Sequence, residues 1–276
     1  MISVGGYLPQ RVVSNHDLAA VVDTSDEWIR QRTGIAQRHI VADGEKTSDL
    51  ARNAAERALA NAGMAGADID LIIIATSTPD DTFPAVAVKV QSRLGLTGGA
   101  AFDVQAACSG FIYALSVADG MIRAGQIKTA IVIGADTLSK LLNWQDRTTC
   151  VLFGDGAGAV VLQAQSLNGD PAPTGILSTH LHSDGNLRNI LYCESDLVAG
   201  ADSRVIKMDG REVFKHAVTN LASVVVEALE ANGLRNKDID WLVPHQANKR
   251  IIDSTAKKLK MSGDKVVLTI ANHANT

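Results

Sequence analysis

Cys108 lies in Asp103-Val-Gln-Ala-Ala-Cys-Ser-Gly-Phe111, where an apolar run expected as a strand (Ala100 to Val104) gives way to a helical pattern (Gly110 to Ala124). A thiol at a helix N-terminus faces unpaired backbone N–H groups and the positive end of the helix dipole. Both favour thiolate, the form that attacks carbonyls. The small neighbours leave room for a substrate to approach the sulfur. Taken alone, a Cys in a chain is more often a small buried hydrophobe. His245, in Trp241-Leu-Val-Pro-His-Gln-Ala-Asn248, is expected where a strand ends and a helix begins, the place where α/β sheets gather ligands. The plain alternative is a His that only hydrogen-bonds its loop. Asn275, in His273-Ala-Asn-Thr276, also follows an expected strand, and turns favour Asn for reasons unrelated to chemistry.

Other candidate sites are weaker. The run Gly154-Asp-Gly-Ala-Gly158 lacks the GxGxxG order and leads into a strand pattern, so it offers no helix N-terminus to a phosphate; a tight turn between two strands is the expected role. His180 and His182 form an HxH pair beside Asp184, but no third ligand has suitable spacing, so no metal site is expected. The segment Asn248 to Lys260 reads as an amphipathic helix, with Ile252, Ala256 and Leu259 facing inward and Arg250, Lys257 and Lys260 on another face. That basic face is either solvated or a docking patch for an anionic partner.

The elements that must position these residues alternate along the chain. Helices are expected at 48–62 (capped by Thr47 or Ser48), from Pro84 to Leu94, from Cys108 to Ala124, from Arg211 to Asn232 and from Asn248 to Leu259. Strands are expected at Leu71–Thr76, Ala100–Gln105, Thr129–Ala135, Cys150–Gly154, Gly158–Gln163, Gly175–His182, Asp240–Pro244 and Val266–Ile270. This alternation implies an α/β fold with parallel or mixed sheets. A Gly-, Pro- and Asn-rich stretch at 164–175 reads as a linker that divides the chain into 1–165 and 166–276. The chain stops soon after its last expected strand, so the second half reads as incomplete at its C-terminus.

The chain has 276 residues, 46% hydrophobic and 20% charged, enough for one large domain or two packed halves. A net charge of −4 gives no global basic field, so a nucleic-acid partner is not expected. Three widely spaced cysteines (Cys108, Cys150 and Cys193) form no CxxC pair, which suits a reducing, cytoplasmic setting. No signal peptide is expected, and the longest apolar runs are strand-length, so no membrane span is expected.

Six segments in order resemble the β-ketoacyl-acyl-carrier-protein synthase III family of the thiolase superfamily. They are Val22 to Ile29, Arg32 to Ile35, Ala106 to Gly110, Phe153 to Gly158, Pro244 to Asn248 and His273 to Thr276. The resemblance implies a five-layered α-β-α-β-α fold with two pseudo-symmetric halves and a homodimer. It implies decarboxylative condensation of an acyl-CoA primer, acetyl-CoA foremost, with malonyl-acyl carrier protein, initiating type II fatty-acid synthesis. Cys108 would be the nucleophile, and His245 and Asn275 hydrogen-bond donors. Thr24, Trp28, Arg32 and Arg147 match contacts to the CoA adenine. Asn248 matches a contact to the pantetheine arm, and Phe214 and Ile251 match its tunnel wall. Phe83 matches the residue that shapes the acyl pocket across the dimer. Lys215, Arg250 and Lys257 match the carrier-protein surface. No metal or redox cofactor is implied, since the CoA thioester is a substrate. Two positions depart from the pattern: Arg211 stands where Asn is frequent, in a segment tied to substrate contacts, and Ala274 stands where Gly is common, an expected mild change. The family continues past this point with further elements and a glycine-rich loop. Two other readings stay open: a same-fold acyl-CoA condensing enzyme of secondary metabolism, and a catalytically silent, truncated acyl-binding protein.

Overall fold

In a computed structural model, the apolar run Leu71–Ala75 is a wholly buried interior strand of a five-stranded sheet. The structure describes residues 1–166, 174–195 and 204–276, so 167–173 of the expected linker lie outside the described residues. The strands are β1 (Ser3–Tyr7), β2 (Arg11–Ser14), β3 (Gln37–Ile40), β4 (Leu71–Ala75), β5 (Ala100–Val104), β6 (Thr129–Thr137), β7 (Asp155–Gln163), β8 (Leu191–Tyr192) and β9 (Lys207–Met208). The helices are α1 (Asn15–Ala19), α2 (Asp26–Thr33), α3 (Thr47–Ala62), α4 (Val86–Arg93), α5 (Gly110–Arg123), α6 (Gly210–Ala231), α7 (Lys249–Lys258) and α8 (Ile270–His273).

Two packing units draw on interleaved segments. The first takes Met1–Gln10, Val41–Thr137 and Asp155–Leu181; the second takes Arg11–Ile40, Leu138–Gly154 and His182–Thr276. This division differs from a single boundary at 165/166. The ladder explains why: β7 enters the first unit's sheet between β6 and β1, whereas the residues just before it pack in the second.

In the first unit the sheet order is β1-β7-β6-β4-β5, with β4 parallel to both β5 and β6. Side chains alternate along β4. Ile72 and Ile74 join Ala51, Ala54, Ala55 and Ala58 of α3, while Leu71, Ile73 and Ala75 join Ala114 and Ala118 of α5. Both faces of the sheet are therefore covered, which is why this strand is a continuous apolar run. Burying each such Ile contributes roughly 1.5–3 kcal/mol. The alanines of α3 allow a close approach: a Cβ on Gly5 of β1 would lie 2.4 Å from the Ala54 carbonyl oxygen.

The second unit holds the antiparallel pair β2–β3, the short pair β8–β9 and the helices α1, α2, α6, α7 and α8. Leu18, Ile29, Ile35, Cys150, Phe153 and Ile270 share its largest apolar cluster. Arg38 is fully buried there, donating to the carbonyls of Val13 (3.2 Å) and Val151 (3.0 Å), and desolvation pulls its guanidinium down to about 10.

Several expected elements differ. The Gly154–Gly158 run is no turn: Asp155–Gly158 opens β7, and Gly158 pairs with both Gly6 and Gly134. Cys150–Gly154 is not a strand, and Gly175–His182 has no ladder partner among the described residues. Asp240–Pro244 and Val266–Ile270 reduce to one parallel bridge, Leu242 with Val266. Leu242 packs inward while Trp241 and Val243 face outward, and Ile270 already begins α8. The cap of α3 is also different: Asp49 accepts from the Lys46 N–H at 2.8 Å, and Thr47 instead donates to the Thr78 carbonyl.

Candidate active site

Cys108 sits in a 3-10 turn, Ala107–Ser109, one residue before α5. The parallel strands β4 and β5 set up this position, because the chain leaves β5 at its carboxyl end and must turn sharply into α5. Two small residues make the turn possible. Ala107 takes a left-handed φ of 44°, and Gly110 packs so closely that a Cβ there would lie 3.1 Å from that of Ala75. The residue is exposed, yet protein surrounds its sulfur densely enough that burial pushes the thiol above its ordinary value of 9.0. The negative charge of Asp136 adds to that rise, and a backbone hydrogen bond opposes it only in part. The expected thiolate at a helix N-terminus is thus corrected: desolvation and the Asp136 charge outweigh the backbone hydrogen bond, and the resting group is a thiol.

Asp136 had no role in the sequence reading. It closes β6, and its Oδ1 accepts from the Ser77 N–H (2.7 Å), Thr78 Oγ1 (2.8 Å) and Thr76 Oγ1 (3.1 Å). Its only sequence signal was one charge at the end of an apolar strand.

His245 and Asn275 belong to the second unit. His245 follows the Leu242–Val266 bridge and precedes the Asn248 side chain, which caps α7 by accepting from the Arg250 N–H at 2.9 Å. Its Nε2 is buried without a hydrogen-bond partner among the described residues, and burial pulls its pKa below the ordinary 6.5. A neutral imidazole with a dry, unused ring nitrogen is equipped to meet a polar atom of a ligand. Asn275 is buried and held through its backbone to Leu152 and Gly154. Before it, Ala274 takes φ 60°, ψ −161°, a conformation that glycine adopts freely and alanine does not. The Ala274 departure is therefore not mild: the backbone keeps the glycine-type geometry that a Cβ resists.

The structure gathers three of the expected adenine contacts. The Arg32 guanidinium lies 4.5 Å from the centre of the Trp28 ring and that of Arg147 lies 5.4 Å from it. Arg147 also donates to the carbonyl and carboxylate of Asp23 (2.9 and 3.2 Å). Beside them is a cavity of about 630 Å³ lined by residues 19–23 and 145–147. Thr24 holds a buried hydroxyl with no partner among the described residues. Arg250 lies 5.5 Å from the Phe214 ring, Lys215 pairs with Glu212, and Lys257 is exposed in the last turn of α7. Ile251 is buried in α7, Arg211 is exposed in the first turn of α6, and Phe83 is 82% exposed. The two histidines of the HxH pair are each engaged elsewhere, His180 with Ser178 (2.8 Å) and His182 with Glu227 (2.7 Å).

Comparison with known proteins adds to this geometry. A family model described as 3-oxoacyl-[acyl-carrier-protein] synthase III matches residues 102–185, and its C-terminal counterpart matches 229–276. The β-ketoacyl-[acyl-carrier-protein] synthase III of Rhodospirillum centenum is 62% identical over 276 residues, covering 100% of this chain and 85% of the relative. That of Paramagnetospirillum magneticum is 62% identical with the same coverage. The crystal structure of the 3-oxoacyl-[acyl-carrier-protein] synthase III from Aquifex aeolicus superposes with a TM-score of 0.93 at 44% identity, over 100% of this chain and 85% of that one.

Proposed function

The chain belongs to the β-ketoacyl-[acyl-carrier-protein] synthase III family, and on that premise we propose that it joins the acyl group of an acyl-CoA to the two-carbon unit of malonyl-acyl carrier protein. It is an acyl-transferring condensing enzyme of the thiolase fold that initiates fatty-acid synthesis. Cys108 Sγ attacks the thioester carbonyl of the primer, acetyl-CoA foremost. The bond to the CoA sulfur breaks, and CoA leaves as a thiol with the proton that Cys108 gives up. The backbone N–H of Cys108 serves the oxyanion of this step. Malonyl-acyl carrier protein then loses carbon dioxide, and the carbanion attacks the acyl-cysteine carbonyl. The product leaves on the carrier and the cysteine sulfur is released.

Charge builds on the malonyl thioester oxygen as carbon dioxide departs. His245 Nε2 and Asn275 Nδ2 donate to it, and a donor of this kind contributes about 3–4 kcal/mol in a water-excluded site. The observation that carries this assignment is the buried, partnerless Nε2 of His245. Each step uses side chains and backbone N–H groups, with no metal or redox cofactor.

Trp28, Arg32 and Arg147 hold the adenine, with Thr24 beside them. Trp28 and Arg147 lie closer than a base between them allows, so Arg147 swings away on binding. Asn248, Phe214 and Ile251 line the way for the pantetheine arm, and Arg211 offers it a cation where Asn is frequent. Lys215, Arg250 and Lys257 receive the acidic carrier protein. A homodimer is supported by β5, which stands at the sheet edge unpaired among the described residues, with Phe83 exposed to reach a partner's acyl pocket. A cytoplasmic setting is supported by the free Cys108 and Cys150; no helix among the described residues is long and apolar enough to cross a membrane.

Incubation with isotope-labelled acetyl-CoA followed by peptide mass spectrometry tests the reading. Label is expected on Cys108 and absent in Cys108→Ala, while His245→Ala acylates normally and loses malonyl decarboxylation. Label on a different residue, or none on the folded protein, refutes it.

A further inference from the structure

Gln246, next to His245, has every hydrogen-bonding site of its side-chain amide in use. Its Nε2 donates to the carbonyls of Pro244 (3.0 Å) and Val267 (3.1 Å), and its Oε1 accepts from the backbone N–H groups of Thr269 (2.8 Å) and Ile270 (3.1 Å). An amide offers two N–H donors and two lone pairs, so the four bonds exhaust it. They also fix its orientation, since a flipped amide would set donors against donors.

The two segments it joins carry the two proposed thioester-oxygen donors. On one side is the His245 loop, anchored by the Leu242–Val266 bridge and by the Asn248 cap of α7. On the other is the start of α8, whose four residues lead through Ala274 to Asn275. Within α8 the Ala274 N–H donates to the Ile270 carbonyl at 3.0 Å, so the position of Ile270 is passed directly to the residue before Asn275. The His245 loop itself has little regular structure, with one isolated bridge in place of a strand. Its register depends on the backbone bonds at Leu242 and on side-chain bonds, of which Gln246 supplies three across to Val267, Thr269 and Ile270, while its bond to Pro244 fixes the amide to its own loop.

We propose that Gln246 is a positioning residue for decarboxylation: its amide sets the His245 loop and the α8 turn at the separation that lets His245 and Asn275 act on one oxygen. The proposal rests on the roles given to those two residues above. It predicts a selective defect. Capture of the acyl group by Cys108 does not use this pair, whereas decarboxylation does, and misplacing a donor by about 1 Å costs on the order of 100-fold in rate.

The test compares Gln246→Met, an apolar near-isostere that loses all four bonds, with Gln246→Glu, which keeps the two acceptor bonds to Thr269 and Ile270. His245→Ala is run alongside. Transfer of labelled acetyl from acetyl-CoA to Cys108 and release of labelled carbon dioxide from malonyl-acyl carrier protein are measured separately. In Gln246→Met, kcat for decarboxylation is expected to fall on the order of 100-fold with KM nearly unchanged, the signature of a contact felt in the transition state. Acetyl transfer is expected to hold, and Gln246→Glu to recover part of the loss. Parallel loss of both half-reactions, or full decarboxylation by the folded variants, overturns the proposal. If Gln246→Met does not fold, Gln246→Glu decides: selective loss of decarboxylation supports it, and equal or absent loss overturns it. If His245→Ala itself keeps decarboxylation, the assignment of His245 fails first.

Discussion

The backbone N–H of Asn275 donates to the carbonyl of Leu152 at 3.0 Å, and the N–H of Gly154 donates back to the carbonyl of Asn275 at 3.0 Å. This pair of bonds brackets Phe153 and holds Asn275 to the segment that runs into β7. The turn out of α8 must meet that fixed point within one residue, Ala274. It does so at φ 60°, ψ −161°, with its side chain buried in the cluster that holds Phe153 and Ile270. Gly154 shares the constraint: a Cβ there would lie 3.2 Å from the His273 carbonyl oxygen and from Arg38 Cβ.

Ala274→Gly is therefore expected to stabilise the protein. Strain of about 2–3 kcal/mol is relieved where only glycine is at ease. Glycine's extra unfolded-state entropy and the lost buried methyl return about 1–2 kcal/mol of that. The net gain is about 1 kcal/mol, read as a higher urea midpoint at unchanged m-value. An unchanged or lower midpoint would show that the backbone at this position is relaxed.

The Cys108 thiol should titrate high. Burial and the Asp136 charge both push it above 9.0, so the iodoacetamide alkylation rate of Cys108 is expected to rise with pH to a midpoint above that value. Asp136→Asn removes a like charge near the sulfur while keeping an acceptor for Ser77, Thr76 and Thr78. Removing a negative charge favours thiolate, so the midpoint moves down. A midpoint that stays in place separates Asp136 from the nucleophile.

The sequence made much of this arrangement legible, unevenly. Periodicity located β4, β6, α3, α5, α6 and α7 to within a few residues, because each buries a face with a regular apolar repeat. It failed at Gly154–Gly158, where glycines that sit within a strand ladder look the same as glycines that permit turns. It also failed at Asp240–Pro244, since one bridge satisfies that segment and no periodic signal tells a bridge from a strand. Family motifs marked Cys108, His245 and Asn275. They gave no sign that desolvation would raise the Cys108 thiol, because the density around a sulfur is a tertiary quantity. Gln246 lay within a quoted motif, and its role emerges only from the four backbone groups that folding brings to its amide.

Trp28→Ala is expected to weaken acyl-CoA binding and leave the chemical step intact. Trp28 is the platform against which Arg32 and Arg147 both rest, at 4.5 and 5.4 Å from the ring centre. Stacking of a base on such a ring is worth about 1–3 kcal/mol. KM for acetyl-CoA should rise about 5- to 150-fold with kcat for Cys108 acylation nearly constant, the mark of uniform binding. A fall in kcat at constant KM would remove Trp28 from the nucleotide site.

Lys257 and Lys215 separate free from engaged cations on the proposed carrier-protein face. Lys215 lies 3.4 Å from Glu212 in an i, i+3 pair, so part of its field is spent locally. Lys257 is exposed near the C-terminal end of α7, a segment whose opposite face packs Ile252 and Ala256 into an apolar cluster. Thermal midpoints are measured first, so that a loss of stability is told apart from a loss of docking. Charge reversal at an exposed interface position acts on encounter and is screened by salt over about 8–10 Å. Lys257→Glu is therefore expected to raise KM for malonyl-acyl carrier protein more than Lys215→Glu does, with both effects shrinking as ionic strength rises and acetyl transfer from acetyl-CoA unaffected. Equal effects on carrier-protein and CoA substrates, or effects indifferent to salt, would place the carrier protein on another face.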